Sequence, residues 1–117
     1  MFVQSVSVAL PVTDLARSVR WYRDVFALEQ PDLEPSGGIV EFRLGGLWLQ
    51  LFPAAPPGAG GGPVIRFGVP DVSAERSRLR DLGVEVGRLQ RVGEVLEYFE
   101  FTDPDGNRLS LYAELEP

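Results

Sequence analysis

The stretch VALPVTDLARSVRWYRDVFALE (residues 8–29) decides the fold, because it changes from strand periodicity to helix periodicity at one aspartate, Asp14. The alternation of Phe2–Leu10 predicts a half-buried strand with Val6, Val8 and Leu10 on one face and Ser5, Ser7 and Ala9 on the other. Asp14 is predicted to cap a helix that runs to about Leu28. The apolar residues of this helix recur at helical spacing and form its buried stripe: Leu15, Val19, Tyr22 and Val25/Phe26.

The residues after this helix predict a loop and a hairpin. Pro31–Gly38 contains proline and glycine and is predicted to be a loop. Two short apolar runs, Ile39–Leu44 and Leu47–Phe52, are predicted strands. Gly45-Gly46 between them is typical of a tight hairpin turn.

The second half of the chain repeats this order. Val64–Val69 is a predicted strand, and Asp71 or Ser73 is predicted to cap a helix that ends at Gly83. That helix carries Val72, Leu79 and Leu82 on one side. Three further strands are predicted: one that begins within Val84–Val86, then Val95–Thr102, and finally Arg108–Tyr112 after the turn Asp103–Asn107.

A shift of 57 positions superimposes the two halves. It places Val12, Asp14, Arg23 and Asp24 on Val69, Asp71, Arg80 and Asp81, and it aligns strand with strand and cap with cap. We interpret this as an internal duplication of a βαβββ-like module. The alternative is two unrelated α+β segments. The predicted organisation is one domain over residues 1–117, with module one at about 1–52, a linker at 53–63 (PAAPPGAGGGP) and module two at about 64–114.

The composition excludes several functions. The 117 residues carry a net charge of −6 and 44% hydrophobic residues, which predicts one globular domain and argues against nucleic acid as a partner. The chain has no Cys and no His, and all eleven of its cationic side chains are Arg. A thiolate nucleophile, a Ser-His-Asp triad and Schiff-base chemistry are therefore impossible. No leader and no membrane-spanning run is recognised, so a cytoplasmic protein without a membrane partner is expected.

Three stretches together resemble the vicinal oxygen chelate superfamily, which includes glyoxalases, bleomycin-resistance proteins and extradiol dioxygenases. They are residues 8–29, FGVPDVSAERSRLRDLGVEV (67–86) and FEFTDPDGNRLSLYAE (99–114). The resemblance implies an α+β fold in which two paired βαβββ modules form a U-shaped, incompletely closed mixed sheet with the helices outside. It also implies a pocket for a small molecule, and a homodimer.

The resemblance further implies four inward positions at which metal-dependent members carry His, Glu or Gln. In this chain those positions hold Ser7, Gln50, Val64 and Ser110. Two hydroxyls, one amide and an isopropyl group are poor ligands for a divalent transition metal. We therefore expect no metal and no cofactor, as in the bleomycin-resistance type. Glu41, Glu97 and Glu100 are an alternative carboxylate set, but they are more simply explained as exposed strand residues, with Glu97 and Glu100 on opposite faces.

Alternation predicts which side chains share the face of those four positions. Leucine, isoleucine and valine are expected to pack toward the helices, and the other face combines aromatic and polar groups. The predicted ligand-binding residues are Ser7, Trp48, Gln50, Phe52, Arg66, Ser110 and Tyr112. Such a mixture is typical of a ligand pocket. Arg66 could pair with a carboxylate or phosphate, stack on an aromatic ring, or be a surface cation paired with a Glu.

The sequence is compatible with three functions. The first is a small-molecule-binding protein that sequesters an antibiotic or another planar hydrophobic compound, with no catalytic residue. The second is a metal-dependent glyoxalase-type lyase, isomerase or dioxygenase. The third is a regulatory module whose hollow is filled by Trp48 and Phe52.

Overall fold

The alternating segments form two small sheets, one in each half of the chain. A computed structural model describes residues 1–31, 38–55 and 62–116. The chain divides into two compact units, unit 1 (Met1–Gly58) and unit 2 (Ala59–Pro117). Most of the predicted loop at 31–38 and much of the predicted linker at 53–63 lie outside the described residues.

Unit 1 contains β1 (Val6–Val12), α1 (Leu15–Val25), β2 (Val40–Leu44) and β3 (Leu47–Pro53). The strand order is β1-β3-β2, with β1 parallel and β2 antiparallel to β3. The predicted first strand, Phe2–Leu10, has the right alternation but the wrong ends. Val6 pairs with Leu47, the first residue of β3 after the glycine turn, so the residues before Val6 have no partner on β3.

Helix α1 begins as predicted and ends three residues early. The Asp14 carboxylate accepts a hydrogen bond from the Arg17 amide at 3.1 Å, which satisfies a free donor of the first turn. At the other end the Leu28 amide donates to the Arg23 carbonyl at 2.8 Å, and Ala27 takes a left-handed φ of 54°. This closing motif stops the helix at Val25.

Unit 2 contains β4 (Val64–Gly68), α2 (Val72–Asp81), β5 (Gln90–Val92), β6 (Leu96–Thr102) and β7 (Arg108–Glu114). The strand order is β4-β7-β6-β5, with β4 parallel to β7 and the other pairs antiparallel. Asp71 is the helix cap, through a 3.0 Å bond from the Ala74 amide. Three-residue β5 was not predicted.

Two other predictions in unit 2 are wrong. Val84–Val86 does not begin a strand; Val86 forms a single bridge with Phe101. Leu82 is not part of the buried stripe of α2. It is the residue that caps the helix C-terminus and is 50% exposed.

The turn between β6 and β7 is built around Asp103, as the turn motif predicts. Its carboxylate accepts bonds from the amides of Asp105 and Asn107, each at 2.9 Å, and from the Asn107 side chain at 2.8 Å. A buried carboxylate with three donors is satisfied. Asp103 therefore shapes a hairpin and is not half of a carboxylate pair.

Each unit has its own apolar core on one face of its sheet. In unit 1 the α1 residue Tyr22 is fully buried, as are Phe42, Leu49 and Leu51 of the sheet. In unit 2 the corresponding residues are Leu79 of α2 and Phe99 and Leu109 of the sheet. The predicted α+β class is confirmed: the described residues form two open mixed sheets and two helices. Neither of these helices is both long and apolar enough to cross a bilayer.

Candidate ligand-binding site

The sheet face opposite the core of unit 1 carries four of the predicted site residues. The register pairs Ser7 with Trp48 and Ala9 with Gln50, so these side chains share a face with Phe52. The Gln50 side-chain amide donates to Glu41 Oε1 at 2.6 Å. Trp48 lies beneath the Arg43 guanidinium, 5.3 Å from ring centroid to Cζ. Glu41 is therefore not simply an exposed strand residue, because it bonds to a predicted site residue.

The corresponding face of unit 2 brings Arg66 and Ser110 together. They are register partners on β4 and β7, and Glu100 of β6 is the next residue along the same row. Arg66 Nη1 donates to Ser110 Oγ at 2.9 Å, and Arg66 Nη2 donates to Glu100 Oε2 at 3.0 Å. Of the three interpretations of Arg66, the pair with a Glu is present. The stack on an aromatic ring is present too, since the guanidinium lies 4.9 Å from the centroid of Tyr98.

Tyr112 occupies its place because the residue beside it is a glycine. Gly68 and Tyr112 are register partners. A Cβ on Gly68 would lie 3.1 Å from both Cζ and Oη of the tyrosine ring, closer than ordinary contact. The absence of a side chain on Gly68 thus leaves room for the Tyr112 ring next to β4.

Arg66, Tyr98 and Tyr112 line an open cleft in unit 2. Its volume is about 480 Å³, and its lining residues are Arg66, Val92, Leu96, Tyr98, Tyr112 and Glu114. Tyr112 and Glu114 also line a neighbouring cleft of about 500 Å³ beside Gly68 and Pro70. The Tyr98 hydroxyl donates to Gln90 Oε1 at 3.2 Å, which fixes that ring at the cleft wall.

Sequence reasoning found two of the six lining residues, Arg66 and Tyr112. It missed the residues of β5 and β6 because alternation shows which side chains share a strand face but not which strand lies next to β7. Tyr98 could have been found from its spacing: it lies two residues before Glu100 on one strand face. The other predicted ligand-binding residues, Ser7, Trp48, Gln50, Phe52 and Ser110, do not line this cleft, although Ser110 bonds to Arg66, which does.

The chemistry of the cleft suits binding of an organic molecule. Two tyrosine rings and two aliphatic side chains form apolar walls, and one guanidinium and one carboxylate supply charge. Pockets for small molecules combine mainly apolar walls with a few oriented polar groups. The flat rings favour a planar guest.

A divalent metal does not fit the four positions that the family resemblance assigns to ligands. Val64 has no donor atom, and Ser110 is fully buried with its oxygen bound to Arg66. A cationic guanidinium 2.9 Å from Ser110 Oγ would repel a dication at that position. Within the described ranges, no three acidic side chains cluster closely enough to act as a substitute site.

Comparison with known proteins places the fold in a family. The model of the Glyoxalase/Bleomycin resistance protein/Dioxygenase superfamily matches residues 4–111. The chain belongs to this superfamily. The predicted family resemblance is therefore confirmed, and within the superfamily the metal-free bleomycin-resistance type stays a prediction.

Several solved structures are similar to this chain in fold at low sequence identity. The fosfomycin resistance protein FosX from Listeria monocytogenes is 22% identical, with a TM-score of 0.83 over 97% of this chain and 94% of that one. A lactoylglutathione lyase from Agrobacterium tumefaciens is 24% identical, with a TM-score of 0.75 over 92% and 91%. A glyoxalase/bleomycin resistance protein from Catenulispora acidiphila is 23% identical, with a TM-score of 0.74 over 93% and 96%. No curated protein sequence matches the chain.

Proposed function

We propose that this member of the superfamily is a small-molecule-binding protein that works without a resident metal. The observation that carries the proposal is the bond between Arg66 and Ser110. A position that the resemblance assigns to a metal ligand is held by a neutral hydroxyl, and that hydroxyl is bound to a fixed guanidinium. The protein's own cation thus lies 2.9 Å from the oxygen at this position, where it would repel a metal ion.

The rest of the cleft supports binding over chemistry. The chain has no His, Cys or Lys to act as a base or nucleophile. The walls offer two tyrosine rings and two aliphatic side chains, which gain free energy when they bury apolar surface of a guest. Capture of a planar hydrophobic compound, such as an antibiotic, requires nothing more than these contacts.

The other parts of this proposal come from the sequence. Ser7, Trp48, Gln50 and Phe52 of unit 1 are proposed ligand-binding residues, as are Arg66, Ser110 and Tyr112 of unit 2. A homodimer in the cytoplasm is proposed as the working form. Antibiotic resistance is proposed as one role that sequestration would serve.

The alternative functions have less support. Two neighbours carry names of activities, a lactoylglutathione lyase and a fosfomycin resistance protein, but at 24% and 22% identity the likeness is one of fold. A metal-dependent lyase, isomerase or dioxygenase needs ligands that these positions lack. A regulatory module with a filled hollow is less favoured because the cleft of unit 2 is open and neither Trp48 nor Phe52 lines it.

A thermal-shift screen with planar aromatic compounds tests the proposal. We expect neutral bicyclic compounds such as 2-naphthamide to raise the melting temperature, since a ligand that binds only the folded state stabilises it. Tyr98→Ala should weaken this shift because it removes one wall of the cleft. Leu82→Ala, which truncates an exposed side chain on α2, is the matched control and should not change it.

Native mass spectrometry of freshly purified protein complements the screen. It reports a copurified guest, a metal and the number of subunits in one spectrum. If no planar compound binds and expression protects no host against such compounds, the proposal is wrong.

A further inference from the structure

We infer that the cleft of unit 2 selects ligands that join a planar apolar body to one anionic group, such as a carboxylate, and that Arg66 binds that group. This inference rests on the proposed function and specifies its ligand class. It follows from the donors of Arg66, from the contacts that hold its guanidinium, and from the position of Glu100.

The Arg66 guanidinium has N–H groups without an acceptor among the described residues. It carries five N–H groups, and one of them donates to Ser110 and one to Glu100. Together with the ring of Tyr98, these are all the partners that Arg66 has among the described residues. Three N–H groups therefore remain for an acceptor from outside the chain. The side chain is 44% exposed, so a ligand in the cleft can reach them.

The guanidinium is also held in place before any ligand arrives. Ser110, which is fully buried, anchors one edge, Glu100 anchors another, and the Tyr98 ring supports the flat face. A planar guanidinium binds a carboxylate through two parallel bonds when its orientation is fixed. Because the side chain is already ordered, an anion that binds it loses less conformational entropy.

The neighbouring carboxylates set how selective Arg66 can be. Glu100 already shares the guanidinium, and exposed Glu114 lies at the edge of the same cleft. Both repel an anion and would attract a cation instead. The contacts favour the anion, because Glu100 is engaged by Arg66 whereas Arg66 itself keeps three free donors. Glu100 thus lowers the affinity of the cleft for an anion, and removal of its charge should strengthen anion binding.

A set of three naphthalene probes that differ in charge tests this inference by calorimetry on the full-length chain. They are 2-naphthoate, neutral 2-naphthamide and 2-naphthylmethylammonium. We expect 2-naphthoate to bind roughly tenfold more tightly than 2-naphthamide, the size of a charge-assisted hydrogen bond in a partly exposed site. The ammonium probe should bind most weakly.

Two variants distinguish recognition by Arg66 from a general effect on the fold. Arg66→Met should abolish the preference for 2-naphthoate over 2-naphthamide, because it removes the positive charge and the donors. Glu100→Gln keeps a hydrogen-bond acceptor, removes the negative charge, and should tighten 2-naphthoate binding.

The pair Arg91–Glu97 supplies the control. It joins β5 and β6 at 3.6 Å on the other face of the same sheet. Arg91→Met and Glu97→Gln should leave the affinities for all three probes unchanged.

The outcomes separate the two proposals. If 2-naphthamide binds as tightly as 2-naphthoate, or the ammonium probe binds best, Arg66 does not recognise an anion and this inference fails while the binding function stands. If none of the three probes binds, the proposed binding function fails with it. A Glu100→Gln variant that weakens 2-naphthoate binding would also overturn the role given to Arg66.

Discussion

Each unit has a row of three register partners across its sheet, and the side chains of the two rows differ in chemistry. In unit 1 the row is Ala9, Gln50 and Glu41; in unit 2 it is Arg66, Ser110 and Glu100. Ala9 and Arg66 are 57 positions apart, the offset of the internal repeat. A glutamate on the neighbouring strand is kept in both rows, whereas the first strand supplies a methyl group in one and a guanidinium in the other.

This difference gives the two rows different charges. In unit 1 the glutamate bonds to an amide at 2.6 Å, and the first strand adds no charge. In unit 2 the glutamate bonds to a cation that also holds the buried serine. Of the two rows, the second has its cation at the wall of a cleft, so we propose that this row binds the anionic group of a ligand.

The largest expected effect is the loss of stability when a core leucine of either unit is truncated. Leu49 of unit 1 and Leu109 of unit 2 are both fully buried. Leu49→Ala and Leu109→Ala should each lower the free energy of unfolding by about 2–5 kcal/mol, because each leaves a cavity. Urea denaturation measures the loss.

Leu82→Ala is the control for this pair, because Leu82 is 50% exposed and should cost less than about 0.5 kcal/mol. If only one of the two buried variants is destabilised, the units do not share the core arrangement described here.

A smaller effect compares the two helix caps. Asp14→Ala and Asp71→Ala each remove a carboxylate that accepts a backbone amide, at 3.1 and 3.0 Å. Each should destabilise the protein by about 0.5–2 kcal/mol. Ser73→Ala is the control, since Ser73 lies inside α2 and does not cap it. Thermal unfolding followed by circular dichroism measures all three, and a loss for Ser73→Ala as large as that for Asp71→Ala would contradict the cap assignment.

The first residue of each row supplies a further comparison. Arg66→Ala makes the first residue of the second row identical to that of the first. The Arg66–Glu100 pair is 44% and 37% exposed, so the ion pair itself should contribute less than about 1 kcal/mol. The variant also removes the guanidinium that donates to fully buried Ser110, so we expect a total loss of about 1–3 kcal/mol in urea denaturation. The same variant should abolish the preference for 2-naphthoate. A loss of stability without any change in that preference would show instead that Arg66 is chiefly structural.

The smallest effect concerns the glycine beneath Tyr112. Gly68→Ala places a Cβ 3.1 Å from the ring, which must move by a few tenths of an ångström. We expect a change in the near-ultraviolet circular dichroism of the tyrosines and a loss of stability below about 1 kcal/mol. Gly46→Ala, at the hairpin turn of unit 1, has no atom within 4 Å of its new Cβ and should leave the spectrum unchanged.

Those features of the fold that depend on local sequence were predictable, and those that depend on a distant segment were not. Asp14 and Asp71 reveal the helix starts, and Gly45-Gly46 reveals the hairpin, because these are local preferences of the backbone. The ends of β1 and α1 were not predictable from local pattern. They depend on the start of the partner strand at Leu47 and on a left-handed residue at Ala27.

The candidate site was only partly predictable for a related reason. Alternation places Arg66, Ser110 and Tyr112 on one face, since each lies on a strand with clear periodicity. Tyr98 and Glu100 join them because β6 pairs with β7 in a particular register, and pairing is not encoded in the periodicity of one strand. Strand β5 has three residues, too few to show a period.

Metal titration tests whether the positions of Ser7, Gln50, Val64 and Ser110 retain a divalent metal. Protein purified without chelator is equilibrated with Mn²⁺, Ni²⁺ or Zn²⁺, desalted and analysed by elemental mass spectrometry. We predict well below one ion per chain, with no difference between the wild type and Ser110→Ala. One tightly held ion per chain that is lost in Ser110→Ala would contradict this prediction.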